Sequence, residues 1–250
     1  MTLAIIRCLA DNYAYLLHDE ASGETTLIDA PEAAPILGEL ARRGWSLTRI
    51  LLTHHHWDHV DALPGVLAAH PAPVFGAAAD AHRLPPLDHA FAPGDTLPGG
   101  AVVLDAPGHT LGHVAFHFPA HKVLFSADSL MTLGCGRLFE GTADQMFDTI
   151  ARFNALPDDT RICSGHDYAQ ANLSFAARFA PDAAALAERQ ADLPRLAAQG
   201  LPTTGTTLAQ ERRLNPYLRC HLRPVAQAAG LPGAPARLVF AEIRRQKDTA

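Results

Sequence analysis

The sequence T-H-H-H-W-D-H at residues 53–59 decides how this chain is interpreted. It follows an apolar run at residues 49–53 that is typical of a β-strand, so the polar cluster begins where a strand ends. A solvated polyhistidine tract or an expression tag is the alternative interpretation. Because a tag lies at a terminus and carries no internal Asp and Trp, the pattern favours a metal-binding loop.

Four of the residues in this short stretch are potential metal ligands. Alternate side chains of an extended segment point the same way, so His54 and His56 can share one ion. Asp58 and His59 bend onward and can bind a second ion. His55 is expected to point elsewhere.

Three further candidate ligands follow predicted strands. His109 comes after the run 101–105, Asp128 after the run 122–126, and His166 after the run 161–164. Side chains at strand exits commonly form active sites on layered α/β scaffolds. A single His or Asp is more often a structural residue, so the conjunction carries the inference. Histidines 113, 117 and 121 continue a four-residue spacing from His109, but intervening glycines and a proline argue against a helix there, and only His109 is interpreted as a ligand.

The order of predicted elements indicates an α/β body followed by a helical tail. Short β-like and helix-like runs alternate up to about residue 167, and Thr142 with Gln145 forms a predicted capping box before one helix. From residue 168 the sequence becomes Ala-rich with helical periodicity, in segments at 171–179, 183–198 and 236–245. We therefore predict two domains, at residues 1–167 and 168–250.

Composition argues against several classes of function. The chain has 250 residues, of which 48% are hydrophobic, enough for a substantial core. A formal net charge of −6 argues against a surface that binds nucleic acid. No apolar stretch reaches the roughly 18 residues of a membrane span, and the start of the chain lacks an export signal. The four cysteines are scattered without a C-x-x-C pair. We expect a cytoplasmic monomer with no nucleic-acid or membrane partner.

The order of motifs, H-x-H-x-D-H followed by His, Asp and His, resembles that of the metallo-β-lactamase superfamily. The resemblance implies an αββα sandwich, an α/β fold with the site at one edge, here followed by the helical domain. It implies that His54, His56 and His109 bind one divalent ion, that Asp58, His59 and His166 bind a second, and that Asp128 bridges them. Asp58 and Asp128 are then the catalytic carboxylates, and a hydroxide shared by the two ions is the nucleophile. Zinc is expected, although iron and manganese accept the same ligands.

Within the superfamily the chain resembles the glyoxalase II (hydroxyacylglutathione hydrolase) family. The resemblance rests on T-H-H-H-W-D-H at 53–59, G-C-G-R-L-F-E-G-T-A at 134–143, N-P-Y-L-R at 215–219 and R-R-Q-K-D at 244–248. It implies hydrolysis of S-lactoylglutathione to D-lactate and glutathione, the second step of methylglyoxal detoxification, with residues 1–167 as the catalytic and 168–250 as the substrate-binding domain. The residues implied to contact glutathione are Arg137, Phe139, Tyr168, Arg244 and Lys247. Some family members carry tyrosine where this chain has Phe139, which removes one hydroxyl donor.

Other activities are compatible with parts of this pattern. A sulfur-dioxygenase-like relative acting on glutathione persulfide would use a single iron, and the full second set of Asp58, His59 and His166 argues against it. A β-lactamase with two zinc ions commonly has cysteine where Asp128 falls. A non-catalytic protein that binds glutathione conjugates would need purely structural metals, which are rarely paired.

Overall fold

A computed structural model describes residues 1–249, which divide into two units. Unit 1 comprises residues 1–105 and 112–121, and unit 2 comprises residues 106–111 and those from 122 onward. Unit 1 therefore carries the 53–59 stretch. Unit 2 carries the three later candidate ligands and the helical tail.

Unit 1 is built on a mixed six-stranded sheet in the order β1-β2-β3-β4-β5-β6, antiparallel from β1 to β3 and parallel from β3 to β6. Unit 1 also contains three antiparallel strands of a second sheet, in the order β7-β8-β9. The strands are β1 Thr2–Cys8, β2 Asn12–His18, β3 Thr25–Ile28, β4 Arg49–Leu51, β5 Val74–Ala77, β6 His89–Phe91, β7 Thr96–Leu97, β8 Ala101–Asp105 and β9 Val114–Phe118.

Three helices accompany this sheet: α1 Ala33–Arg43, α2 Trp57–Val60 and α3 Leu63–Ala69. Helix α1 ends at Gly44, whose left-handed φ of 68° costs glycine nothing because it has no Cβ. Ile36 and Leu40, four residues apart on α1, are fully buried in a core with Leu16, Leu27 and Ile50 from the sheet. This packing holds the carboxyl end of β4, where the 53–59 stretch begins.

Unit 2 contains parallel strands β10 and β13, with β14 antiparallel to β13, and a small hairpin of β11 and β12. Because β10 and β13 are parallel, Asp128 and His166, which follow them, lie at the same edge. The strands are β10 Val123–Ala127, β11 Leu130–Met131, β12 Gly134–Cys135, β13 Arg161–Ser164 and β14 Thr206–Thr207; the helices are α4 Ala143–Phe153, α5 Ala169–Ala176, α6 Ala183–Ala198, α7 Leu208–Leu214, α8 Arg223–Ala228 and α9 Ala236–Asp248. The capping box predicted at Thr142 and Gln145 is present at the start of α4.

Two side chains of the helical region anchor the β11–β12 hairpin. Asn215 Nδ2 donates to the carbonyl oxygens of Met131 (3.2 Å) and Gly134 (3.0 Å). Glu211, which is 0% exposed, accepts from the backbone N–H of Leu133 at 2.8 Å. These bonds fix the turn that leads into Cys135 and the residues after it, next to the candidate ligands of unit 2.

Glu211→Gln is expected to flatten the pH dependence of stability. Burial raises the pKa of Glu211 above its ordinary 4.5, against the hydrogen bonds that lower it. The folded chain therefore binds more protons than the unfolded chain above that pH, and the free energy of unfolding falls as pH rises through the raised pKa. Glutamine keeps an acceptor for Leu133 and loses the charge. Urea unfolding across mildly acidic to neutral pH checks this, and equal slopes in both proteins would contradict it.

Candidate metal centre

Unit 1 brings its four candidate ligands together. The histidine loop (residues 52–56) follows β4, and α2 carries Asp58 and His59. Ligand atoms of His54 and His56 lie within 4.8 Å of each other. The same limit holds for His54 with His59 and for Asp58 with His59.

Asp29 orients His59, although the sequence analysis did not single it out. It follows β3 with a φ of 58°, which is uncommon for a residue with a side chain. Its carboxylate accepts from Thr53 N, from Thr53 Oγ1 and from His59 Nδ1, each at 2.8 Å. Since a carboxylate only accepts, His59 Nδ1 carries the proton and Nε2 keeps the lone pair that a metal needs.

The same chain of donors sets the ring of His54. Thr53 Oγ1 donates its hydrogen bond to Asp29, so in its contact with His54 Nδ1, at 3.0 Å, it is the acceptor. The Nε2 of His54 is therefore also the lone-pair nitrogen. His113, which the sequence excluded as a ligand, is fully buried and stacks on His54 with ring centroids 4.8 Å apart.

Asn12 holds the remaining carboxylate of unit 1. Its Nδ2 donates at 3.0 Å both to Oδ2 and to the backbone carbonyl of Asp58. Asn12 is 4% exposed and lies at the start of β2. The candidate ligands thus have outer partners that fix their direction, as is usual for metal ligands.

Unit 2 brings together His109, Asp128 and His166. Asp128 Oδ2 lies 3.2 Å from the Nε2 of each histidine. His109 Nδ1 donates to the carbonyl oxygen of Arg137 at 2.7 Å, so its Nε2 is the lone-pair nitrogen of the neutral ring. All three side chains are at most 7% exposed.

The donor chemistry fits two divalent cations. A neutral imidazole Nε2 facing a carboxylate oxygen brings two acceptors together, an arrangement that a shared cation or an added proton makes favourable. Five imidazoles and two carboxylates are the candidate donors, and this mixture suits zinc, iron and manganese. The ring orientations set by Asp29, Thr53 and Arg137 point to Nε2 as the ligating atom in three of them.

Gly136 permits a close approach of backbone to the Asp128 carbonyl. A Cβ at this position would lie 1.7 Å from the backbone oxygen of Asp128, far inside van der Waals contact. Gly136 N donates to Ser129 O at 3.0 Å, which ties the two segments together. Absence of a side chain at 136 is therefore required for the observed position of Asp128.

Two exposed aromatic rings lie against candidate ligands of unit 2. Phe139 is 61% exposed and meets His109 edge-on at 5.3 Å between centroids. Tyr168 is 40% exposed and stacks on His166 at 4.9 Å. Apolar surface beside metal-ligand residues is suited to contact with a substrate.

The predicted glutathione-binding cations have different surroundings. Arg244 is 5% exposed and donates to the carbonyl of Cys135 at 2.6 Å and to Asp248 at 2.8 Å. Arg137 is exposed, with its Nε 4.0 Å from the same oxygen of Asp248. Lys247 is partly buried with its Nζ 5.0 Å from the ring centre of Phe175, and burial, followed by the charge of Arg244, lowers its pKa. Asp248 thus places a carboxylate between two of these cations.

The four cysteines are buried free thiols: Cys8, Cys135, Cys163 and Cys220. Burial raises the pKa of each to about 12. Within residues 1–249, none of these thiols belongs to a His/Asp group that could hold a metal ion.

Comparison with known proteins defines the class. Residues 11–166 match the family model described as the metallo-beta-lactamase superfamily. Among solved structures, the B3 metallo-β-lactamase BLEG-1 superposes with a TM-score of 0.67 at 23% identity, covering 87% of this chain and 99% of that one. ETHE1 from Myxococcus xanthus superposes with a TM-score of 0.66 at 27% identity, covering 97% and 90%. The chain is a metallo-β-lactamase-fold protein, and the predicted fold class is confirmed.

Residues 167–250 match a second model, described as the hydroxyacylglutathione hydrolase C-terminus. The hydroxyacylglutathione hydrolases of Ruegeria pomeroyi and Fuscovulum blasticum are 53% and 54% identical to the chain, each over 99% of it and 98% of the relative. The chain belongs to the hydroxyacylglutathione hydrolase family. Its family and its His/Asp clusters together indicate a dinuclear metal site, and the dioxygenase and binding-protein alternatives are not favoured.

No helix in residues 1–249 is long and apolar enough to cross a bilayer.

Proposed function

We propose that this protein hydrolyses S-2-hydroxyacylglutathione thioesters, chiefly S-lactoylglutathione, to D-lactate and glutathione. The observation that carries the proposal is the Asp128 carboxylate, 3.2 Å from the Nε2 atoms of both His109 and His166. The match of residues 167–250 to the family's C-terminal model supports the choice of substrate. We further propose that the chain acts as a cytoplasmic monomer, with residues 1–167 catalytic and 168–250 substrate-binding.

The proposed centre takes its ligands from the candidate residues that the sequence analysis singled out. His54, His56 and His109 would hold one ion, Asp58, His59 and His166 would hold the other, and Asp128 would contribute to both. Zinc is the proposed metal, since neutral imidazoles and carboxylates suit it. Two bound divalent ions supply ionisation of the attacking water near neutral pH and polarisation of the thioester carbonyl.

The protein's own groups orient that chemistry. Asp29 accepts from His59 Nδ1, and the carbonyl of Arg137 accepts from His109 Nδ1. These bonds keep the proton on Nδ1 and leave the Nε2 lone pair of each ring for a metal ion. Asn12 fixes Asp58. In the reaction the water oxygen bonds to the acyl carbon, the C–S bond breaks, and the glutathione sulfur leaves with the electron pair and takes up a proton.

Glutathione is proposed to lie along the exposed aromatic and cationic residues of unit 2. Phe139 and Tyr168 offer apolar faces, and Tyr168 also offers a hydroxyl. Arg137 and Lys247 bind the carboxylates of the peptide by charge-assisted hydrogen bonds. Arg244 joins them by exchanging the carboxylate of Asp248 for that of the substrate, because both terminal nitrogens of its guanidinium are already bonded inside the protein.

Lys247→Ala is expected to raise KM for S-lactoylglutathione about tenfold and to leave kcat little changed, since it removes a contact remote from the reacting bond. Hydrolysis of a small neutral thioester is expected to stay unaffected. Because the pKa of Lys247 is lowered, this side chain loses its positive charge at a lower pH than an ordinary lysine does. The KM of the wild type is therefore expected to begin to rise before the pH reaches 10.5. Lys122→Ala, which alters an exposed lysine paired with Asp159, is the matched control. Equal losses on both substrates would refute the role.

The direct test combines metal analysis with an assay of the purified protein. Two equivalents of divalent metal per chain and loss of S-lactoylglutathione with release of free thiol are expected. A single ion per active chain, or no turnover in the metal-loaded protein, would overturn the proposal.

A further inference from the structure

A buried carboxylate outside the candidate ligand set contacts the histidine loop. Asp80 ends a 3-10 turn, Ala78–Asp80, that follows β5, and it is 0% exposed. Its Oδ2 accepts from His55 Nδ1 at 2.8 Å, and its Oδ1 accepts from Arg83 Nε at 2.6 Å. A buried carboxylate is costly unless it is paired, so these two donors hold Asp80 in one position.

His55 lies between two candidate ligands on an extended segment. Its ring centre is 5.0 Å from that of His56 and 6.5 Å from that of His54, with both ring pairs nearly perpendicular. Neighbouring side chains of extended backbone point to opposite sides, so the bond to Asp80 secures the side away from the ligands. A rotation of the backbone at His55 would turn its two neighbours with it.

Asp80 also packs against the segment that covers His54. A Cβ on Gly112 would lie 2.6 Å from both Cβ and Cγ of Asp80, so only glycine allows this approach. The next residue, His113, stacks on the ring of His54. Asp80 therefore contacts the histidine loop on one side and the 112–113 segment on the other.

We infer, on the basis of the proposed function, that Asp80 is a positioning residue for the metal centre. By holding His55 it fixes the backbone of the histidine loop, and so the direction in which His54 and His56 present their ring nitrogens to an ion. Asp29 secures the same loop at Thr53, and Asp80 secures its middle. Loss of either member of the Asp80–His55 pair weakens metal binding at that half of the centre without removing a ligand.

Titration of the metal-free protein with Co²⁺, followed by its visible absorption, tests the inference. The binding step lost in His56→Ala identifies the half-site that depends on the histidine loop. Asp80→Ala and His55→Ala are each expected to weaken that step about tenfold, the lower end of the cost of losing an outer partner of a metal ligand. The double variant is expected to be no weaker than the weaker single variant, because both remove one interaction.

Two further variants separate positioning from general stability. His55→Asn keeps an N–H donor near the position of Nδ1 and is expected to restore most of the affinity. Asp88→Ala is the matched control, because Asp88 is also a carboxylate beside β5 and accepts from Val74 N at the start of that strand. It is expected to lower thermal stability and leave both Co²⁺ steps unchanged. Should Asp80→Ala fail to fold, the comparison of His55→Ala with His55→Asn decides.

Wild-type affinity for both ions in His55→Ala, or equal weakening of both steps by Asp88→Ala, would overturn the inference. A failure of the proposed function would be seen in the wild-type protein instead, which would then bind fewer than two ions or leave the thioester uncleaved.

Discussion

Asp128→Asn is expected to lower thioester hydrolysis by more than about a hundredfold and to reduce the metal bound per chain. Mutation of a residue that only hydrogen-bonds to a metal ligand lowers activity or metal affinity by up to about a hundredfold. Asp128 is proposed to be a ligand itself, so a larger loss is expected. Its Oδ2 lies 3.2 Å from two histidine nitrogens. An asparagine amide donates to one of these Nε2 atoms and occupies the lone pair that an ion would use.

This mechanism has a signature apart from activity. The metal-free Asp128→Asn protein is expected to be at least as thermally stable as the metal-free wild type, because an amide that can donate replaces a carboxylate that faces the acceptor Nε2 of His109. Added Zn²⁺ is expected to raise the Tm of the wild type far more than that of the variant. Asp159→Asn, at an exposed carboxylate paired with Lys122, is the control. Full activity and full metal content in Asp128→Asn would eliminate the proposed centre.

Gly136→Ala is expected to destabilise the protein by about 3 kcal/mol or more, at the upper end of the cost of overpacking. The added methyl would meet the Asp128 carbonyl oxygen at 1.7 Å, and that atom belongs to backbone that cannot rotate away. The chain must therefore shift at Gly136 or at Asp128, and either shift disturbs a candidate ligand. Urea unfolding of the metal-free protein measures the loss, and metal content measures the displacement.

Gly38→Ala is the control for this substitution. Gly38 lies inside α1, and a Cβ there meets nothing within 4 Å. Alanine is expected to stabilise that helix by about 0.5–1 kcal/mol, because glycine loses more conformational entropy on folding. An unfolding midpoint of Gly136→Ala equal to that of the wild type would show that the 136 segment is not held against Asp128.

Candidate ligands could be predicted because their signal is local in sequence. His54, His56, Asp58 and His59 are crowded into one loop, and the other three each follow a recognisable strand. The residues that orient them act over long separations. Asp29 reaches Thr53 and His59 across 24 and 30 residues, and Asp80 reaches His55 across 25. Only their position after a strand could have indicated them, and that signal is weak alone.

The bounds of helices and strands were also predictable only where the local sequence carries a clear signal. Helix α6 at Ala183–Ala198 and strand β13 at Arg161–Ser164 have the predicted bounds. The helix predicted at 171–179 is α5, Ala169–Ala176, because an Ala-rich segment gives few start or stop signals. Strand β5, Val74–Ala77, was not predicted, since four apolar residues are too short to show a period.

Through Arg244, helix α9 stabilises unit 2 itself in addition to its proposed role in binding the substrate. Its guanidinium donates to the carbonyl of Cys135. Two residues further along, the carbonyl of Arg137 accepts the hydrogen bond from His109 Nδ1. A chain shortened before Ala236 would lose this support along with the peptide-binding cations. Trimming α9 would therefore be a poor route to a smaller, less selective esterase, because the truncated protein would lose precision at the metal ligands as well as affinity for glutathione.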